Sequence, residues 1–513
     1  MTSFLMGCDI GTSSAKAIII DDQGNMLGSD YIEYSLHTSR PGWSEHNPQD
    51  YWRVFKHVTQ GALKKSKIDS KQIKGISISS CSPCSVFVNK KGDVLDMSQT
   101  WQDRRAIEEC EQVQEFYSAD EIFELTANTL DPHIGALKLL WEKKHRPDVY
   151  GNTYKMLNPC NYVTMMLTGE FVIDYSNASL MGLVFDIRKR QWRMDIAEKV
   201  GLNPDKFARL APCDEVIGQV TKQAAGECGL AAGTPVVAGT MDCNAAWLGN
   251  GATKPGDASF VMGTAGALGV VHNDNVFTKT MTNVIHTAYS RENYTTLAGT
   301  GCCGGLMRYF RDTFVETDAR LAKENGDDIY NILTAEAALI KPGADGLMIL
   351  PYLAGERTPL WNPLARGVVF GLSLAHTRGH WVRSIMESTI FAVNHCVNIM
   401  KDNGLKMNLP IVVSEGGSKS ELWRQIAADI MDIEFTYSAD AKGAPMGNAI
   451  NAGVGVGVFK DYEIAKDFIQ VNEYSKPNNK NHQIYQKYFE LYLKLYDDIK
   501  PNYDTLAQLV KME

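Results

Sequence analysis

Phe4-Leu5-Met6-Gly7-Cys8-Asp9-Ile10-Gly11 is a short apolar run that closes on glycine; Thr12-Ser13-Ser14 follows, and Ala17-Ile18-Ile19-Ile20 resumes as a β-branched run. That second run stops at the turn cluster Asp21-Asp22-Gln23-Gly24-Asn25, and Met26 begins a third. The pattern predicts strands joined as hairpins, with Gly11-Thr12-Ser13-Ser14 as the first tight turn. Far along the chain the same grammar returns. Ala258-Ser259-Phe260-Val261-Met262 leads into Gly263-Thr264-Ala265-Gly266, the strand-like run continues to Val271, and Asn273-Asp274-Asn275 supplies the polar turn. Two strand–Gly-Thr–strand units suggest duplicated domains facing one another, with chance likeness over a dozen residues as the competing explanation. Between them, Trp52, Phe55, Val58 and Ala62 recur at helical spacing, and Ile73 to Ser79 alternates like a strand. Strands first, then helices mixed with strands, make this an α/β chain and not a helical bundle. Glycine and proline cluster at residues 250–255, which divides the chain into 1–250 and 251–513, the latter ending in a terminal helix.

The 513 residues are 44% hydrophobic and 22% charged, which excludes a disordered or collagen-like chain. Lysine and arginine total 51 against 60 acids, so nucleic acid is a poor partner. A small anionic ligand is not excluded, because a local pocket can be positive on a negative protein. Asp9 and Lys16 interrupt the N-terminal apolar stretch, which argues against a signal peptide, and no apolar run is long enough to predict a membrane span. Eleven scattered cysteines fit reduced thiols. A cytoplasmic protein without membrane attachment is expected, and a homodimer is left open.

Several residues are candidates for chemistry. Glycine at 11 frees the backbone to approach a ligand, and Thr12, Ser13 and Ser14 add donors suited to phosphate oxygens. Asp9, at the strand end, can hold a hydrated magnesium ion. A plain hairpin turn explains the same residues when they are read alone. Asp242 follows the apolar strand Pro235-Val236-Val237-Ala238-Gly239 and suits either a general base or the cap of the next helix. Ser418-x-x-Glu421 reads as a capping box after Gly416-Gly417, where paired glycines let a planar base or ribose lie close. Gly299-Thr300-Gly301-Cys302-Cys303-Gly304 matches a dinucleotide fingerprint and raises a rival reading, an NAD-dependent oxidoreductase; no acid stands at the required distance on a following strand. Cys81-x-x-Cys84 lacks the second pair or the histidines of a zinc site.

Together these residues resemble the FGGY carbohydrate kinases, the family of xylulokinase, glycerol kinase and ribulokinase. The resemblance rests on Asp9-Ile10-Gly11-Thr12-Ser13, Trp101-x-Asp103-Arg104-Arg105, Leu167-Thr168-Gly169-Glu170, Asp174-x-Ser176-x-Ala178, Gly263-Thr264-Ala265-Gly266 and Leu350-Pro351-Tyr352-Leu353-Ala354-Gly355-Glu356-Arg357-Thr358-Pro359. It implies two actin-like (ribonuclease H-like) domains with ATP and substrate in the cleft between them. By the same resemblance Thr12, Ser13, Ser14 and Lys16 serve the phosphates from one side and Gly263 and Thr264 from the other. Gly304, Gly417 and Glu421 lie at the nucleotide, Asp9 serves magnesium, and Asp242 is the base. The Glu356-Arg357-Thr358-Pro359 stretch looks most like xylulokinase, so a pentulose such as xylulose is the leading substrate. Other ketoses and polyols (glycerol, ribulose, a tetritol) and a non-catalytic ATP- and sugar-binding sensor are the alternatives. Ser82, Trp101, Asp103, His133, Cys243 and Asn244 are the candidate substrate contacts. Three of these depart from the usual pattern: Ser82-Pro83-Cys84 stands where xylulokinases carry Met-His-Gly, Cys243 where asparagine or glutamine is common, and His133 where glycerol kinase has a tyrosine.

Overall fold

A computed structural model describes residues 2–438, 442–470 and 473–511. Strands β1 (Phe4–Ile10), β2 (Ser14–Asp21) and β3 (Met26–Glu33) form the expected antiparallel meander. Helix α1 (Pro48–Ser66) starts at an Asn47 cap with proline in its first turn, and it buries Trp52, Phe55, Val58 and Ala62 as their spacing requires. The chain returns as β4 (Ile73–Ser80), parallel to β1. Helices α2 (Ile107–Gln114) and α3 (Gly135–His145) belong to the long excursion that follows. It ends at β5 (Val216–Gln219), β6 (Pro235–Val237), β7 (Thr240–Met241) and α4 (Asp242–Gly249).

The second half repeats this plan with β8 (Ala258–Met262), β9 (Gly266–His272), β10 (Thr282–Ile285) and β11 (Tyr294–Thr300). Then come α5 (Gly304–Phe314), α6 (Arg378–Asp402), β12 (Ile411–Ser414), α7 (Glu421–Met431), β13 (Phe435–Tyr437), α8 (Gly443–Gly455), β14 (Glu473–Ser475) and α9 (Asn479–Lys511). The first sheet runs β5-β6-β4-β1-β2-β3 and the second β10-β11-β9-β8-β12-β13-β14. From β1 and from β8 alike, only antiparallel strands lie on one side, two beyond β1 and three beyond β8. Two parallel neighbours lie on the other, followed by one antiparallel edge strand. Chance likeness of short segments would not reproduce a sheet order, so the duplication is real. The fold is the two-domain actin-like α/β class.

Between β13 and β14 the described residues leave the second sheet. Helix α8 crosses back so that Met446 and Ile450 share a core with Leu5, Ile18 and Ile20 of the first sheet. It passes so close to α4 that a Cβ on Gly447 would lie 1.8 Å from the Ala245 carbonyl oxygen, and one on Gly249 2.4 Å from that of Gly443. Only glycine permits this approach.

Candidate functional site

Strand register sets the first half of the site. Asp9 lies opposite Ser79, and Ser79 opposite Thr240, so the loops after β1, β4 and β7 leave one edge of the sheet together. Ligands gather at such carboxyl ends of parallel strands. The Ser79 hydroxyl donates to Asp9 Oδ1 at 2.7 Å and accepts from Asn448 Nδ2 of α8 at 2.7 Å. Asp242 opens α4, and its Oδ1 accepts the Cys243 N–H at 2.7 Å. Burial, then the nearby Asp242 carboxylate, lifts Asp9 to about 7, although Ser79 and Lys16 pull the other way. Burial likewise lifts Asp242 to about 6 against the opposing pull of the Cys243 N–H and Arg357. A cation between these two carboxylates would favour the ionised form of both, so the donor set fits a magnesium ion.

The first turn is pinned from several sides. Gly11 N–H donates to Ser14 O at 2.9 Å, the Tyr34 hydroxyl donates to Gly11 O, and His46 Nε2 meets Thr12 O at 2.9 Å. Trp101 Nε1 donates to Thr12 Oγ1 at 2.9 Å, and Ser13 stays exposed. Lys16 sits opposite Asp9 across β1 and β2.

The second turn is docked against the start of α5. Gly304 N–H donates to Gly263 O at 2.8 Å, and the Cys303 and Gly305 N–H groups both donate to Thr264 O at 2.9 Å. A Cβ at Gly304 would fall 2.7 Å from Gly263 O. The glycines here therefore serve the meeting of two turns. Because β11 pairs antiparallel with β9 and not within a βαβ unit, the dinucleotide reading of residues 299–304 fails.

Gly263, Thr264, Gly304, Gly417 and Glu421 all line one cavity of about 1180 Å³. Glu415 lines it too, with φ at +73°, a conformation that a non-glycine residue holds only under constraint and most often at functional sites. The expected capping box is not formed. Residues Gly416–Lys419 make a short 3-10 turn in which the Ser418 hydroxyl donates to Glu415 O at 2.6 Å, and Ser420 caps α7 instead.

On the other side of Asp242 the candidate substrate contacts divide. Trp101 is half-buried, and the Arg357 guanidinium lies 4.7 Å from its ring centre. His133 gives Nδ1 to Asp131 at 2.6 Å and stacks on Trp361 of the second half at 6.1 Å, which leaves Nε2 for a ligand. The Ser82 hydroxyl finds no partner among the described residues. Cys243 is half-buried, and burial together with the Asp242 charge pushes its thiol well up. Two expectations are corrected. Asp103 is 1% exposed, and its carboxylate is consumed by Arg105 and by the Ser44 N–H at 2.7 Å, so it builds the wall behind Trp101. Asn244 is fully buried, and its amide donates to Ser176 Oγ at 2.7 Å and Ile285 O at 2.8 Å, which leaves nothing for a sugar.

Sequence reading missed two cations. Arg357, quoted above only as part of a motif, is the positive group felt by Asp242, Cys243 and His133, and its Nε finds no acceptor among the described residues. Lys138 of α3 is fully buried, and its Nζ donates to Pro83 O and Thr100 O at 2.7 Å each and to Gln99 O at 3.3 Å. It thereby clamps the loops that carry Ser82 and Trp101. Burial lowers its pKa to about 8. A charged residue inside an apolar helix face was its one local signal. The Cys81 and Cys84 sulfurs lie 3.5 Å apart as buried free thiols.

Models of the N-terminal and C-terminal domains of the FGGY family of carbohydrate kinases match residues 4–249 and 258–456. The chain belongs to the FGGY family. A gluconokinase of Bacillus licheniformis is 28% identical over 510 residues, 99% of this chain and 98% of that one. A xylulose kinase of Staphylococcus epidermidis is 29% identical over 497 residues, 97% of each. The crystal structure of xylulose kinase from Rhodospirillum rubrum superposes with a TM-score of 0.86 at 27% identity, covering 98% of this chain and 100% of that one. This FGGY protein is thus an ATP-dependent sugar kinase. No helix among its described residues is long and apolar enough to cross a membrane.

Proposed function

We propose that this FGGY kinase transfers the γ-phosphoryl group of ATP to a terminal hydroxyl of a pentulose such as xylulose, with Asp242 as general base. The half-buried Asp242 carboxylate, set to about 6 beside Asp9 and Arg357, carries the reading. A base ionised near neutral pH, yet basic enough to take a hydroxyl proton, suits that role. The substrate oxygen attacks the γ-phosphorus as its proton passes to Asp242 Oδ2, and the bond to the β-phosphate oxygen breaks to release ADP. Thr12, Ser13 and Ser14 and the Gly263-Thr264 turn would offer donors to the phosphates from the two sheets. Gly417 and Glu421 would border the adenosine. Asp9 would hold magnesium through its water shell, and that ion, when bound, neutralises charge on the phosphate oxygens. Trp101, Ser82 and His133 would frame the sugar.

One observation favours a second substrate class. Arg357 presents a guanidinium whose Nε is unpaired, and such a fork suits the carboxylate of an aldonate. ADP release with Mg-ATP, measured across pentuloses, hexuloses, aldonates, glycerol and four-carbon polyols, decides between them. A pentulose standing well above the panel supports the proposal. An aldonate in that place overturns the substrate and keeps the kinase. A flat panel with intact ATP binding favours a non-catalytic sensor.

A further inference from the structure

We infer that Glu108 and Glu109 of α2, with His145 of α3, form a binding site for one divalent transition-metal ion of the zinc class, away from the nucleotide cleft. One ligating atom from each of the three side chains can be chosen so that all lie within 4.8 Å of one another. Glu109 is the deciding member. Its side chain is 1% exposed, yet neither Oε1 nor Oε2 accepts a hydrogen bond among the described residues. The charged group it faces is His145, whose Nε2 lies 3.5 Å from Oε1. A buried carboxylate with both oxygens unsatisfied is costly unless something positive completes it.

The donor set names the class of ion. One imidazole nitrogen and two carboxylates suit zinc, cobalt or manganese better than magnesium, which prefers oxygen ligands and its own water shell. The His145 ring is held by stacking on Trp141 at 4.6 Å, so its nitrogen is oriented before any ion arrives. The side chains of Glu108 and His145 are 67% and 38% exposed, which gives an entry path and room for water as a further ligand. Lys144 pairs with Glu108 Oε2 at 2.6 Å, but this exposed pair is weak and leaves Oε1 available.

The site lies where a metal would matter. Helix α2 closely follows the Trp101-x-Asp103-Arg104-Arg105 segment, and α3 closely follows Asp131 and His133. An ion bridging the two helices would fasten together the two stretches that wall the sugar side of the cleft.

The full-length protein, stripped with a chelator and held in excess magnesium to fill hard-cation sites, is titrated with cobalt and then with zinc. The expected result is one cobalt per chain, showing ligand-field absorption without a sulfur-to-metal charge-transfer band and displaced by zinc. H145Q and E109Q should each weaken cobalt binding about tenfold or more, while E111Q on the same helix leaves it unchanged. His145 and Glu108 lie toward the surface, so H145Q and E108Q keep the test decisive even where E109Q does not fold. Unaltered cobalt binding in H145Q, binding that requires cysteine sulfur, or no binding at all overturns the inference.

Discussion

Asp242 stands where a parallel strand gives way to the first turn of a helix, and its carboxylate faces both a like charge and a cation. Asp242→Asn keeps the side-chain volume and removes only the proton acceptor. Turnover should fall about 10²- to 10⁴-fold while ATP binding, followed by calorimetry, stays within a few-fold. Undiminished turnover would take Asp242 out of the mechanism. Glu142 on α3 tests burial without catalysis. It is 0% exposed, Gln99 Nε2 donates to its Oε1 at 2.6 Å, its Oε2 finds no donor among the described residues, and burial lifts it to about 7. A raised folded-state pKa means that protonation favours the fold. Its contribution is present in full below the unfolded value of 4.5 and is lost as pH rises through about 7. Glu142→Gln keeps the bond to Gln99 and has no charge to bury. It should therefore gain on the order of 1–3 kcal/mol over the parent near pH 8 and almost nothing near pH 4, read from denaturant midpoints. An equal gain at both pH values would mean that the carboxylate is not the cause.

Among the elements, the two Gly-Thr turns and their flanking strands were legible in sequence because alternation and turn residues are local properties. The first turn of α7 was not. Ser418 and Ser420 both precede it, and only the 3-10 turn of Gly416–Lys419 decides that Ser420 caps the helix. Crossing of α4 and α8 was illegible for a different reason. Gly443, Pro445, Gly447 and Gly453 look like a poor helix until the partner backbone is seen lying against them. The same contrast gives a prediction. Gly447→Ala ought to destabilise by about 2–4 kcal/mol, since its Cβ would meet the Ala245 carbonyl at 1.8 Å and helix propensity repays only part of the strain. Gly151→Ala, in a helix where no atom lies within 4 Å of the new Cβ, should instead gain about 0.5–1 kcal/mol. Matching losses in the two variants would refute the close-crossing argument.

At the scale of the whole molecule, the candidate groups are divided between two sheets. Asp9, Thr12 and Asp242 leave the edge of the first, while Gly263, Thr264 and Glu415 leave the second. Residue chemistry made Asp9 and Asp242 readable as carboxylates at strand ends. It did not reveal Arg357 or Lys138, because their meaning lies in the Trp101 ring and the loop carbonyls that face them across the fold. Among the contacts between the two halves, the α4–α8 crossing is one where backbone touches backbone and little sliding is possible, so relative motion would be a rotation about it. Such rotation would bring the turns of the two sheets together around the phosphates and expel water that otherwise competes with the sugar hydroxyl. On the proposed site assignment a nucleotide alone would engage chiefly the second sheet and a sugar alone the first, so neither by itself would have reason to draw them together. The radius of gyration in small-angle scattering should fall with Mg-ADP and a phosphoryl acceptor together by more than the sum of their separate effects. Additive effects would place both ligands on one half and leave closure out of the reaction.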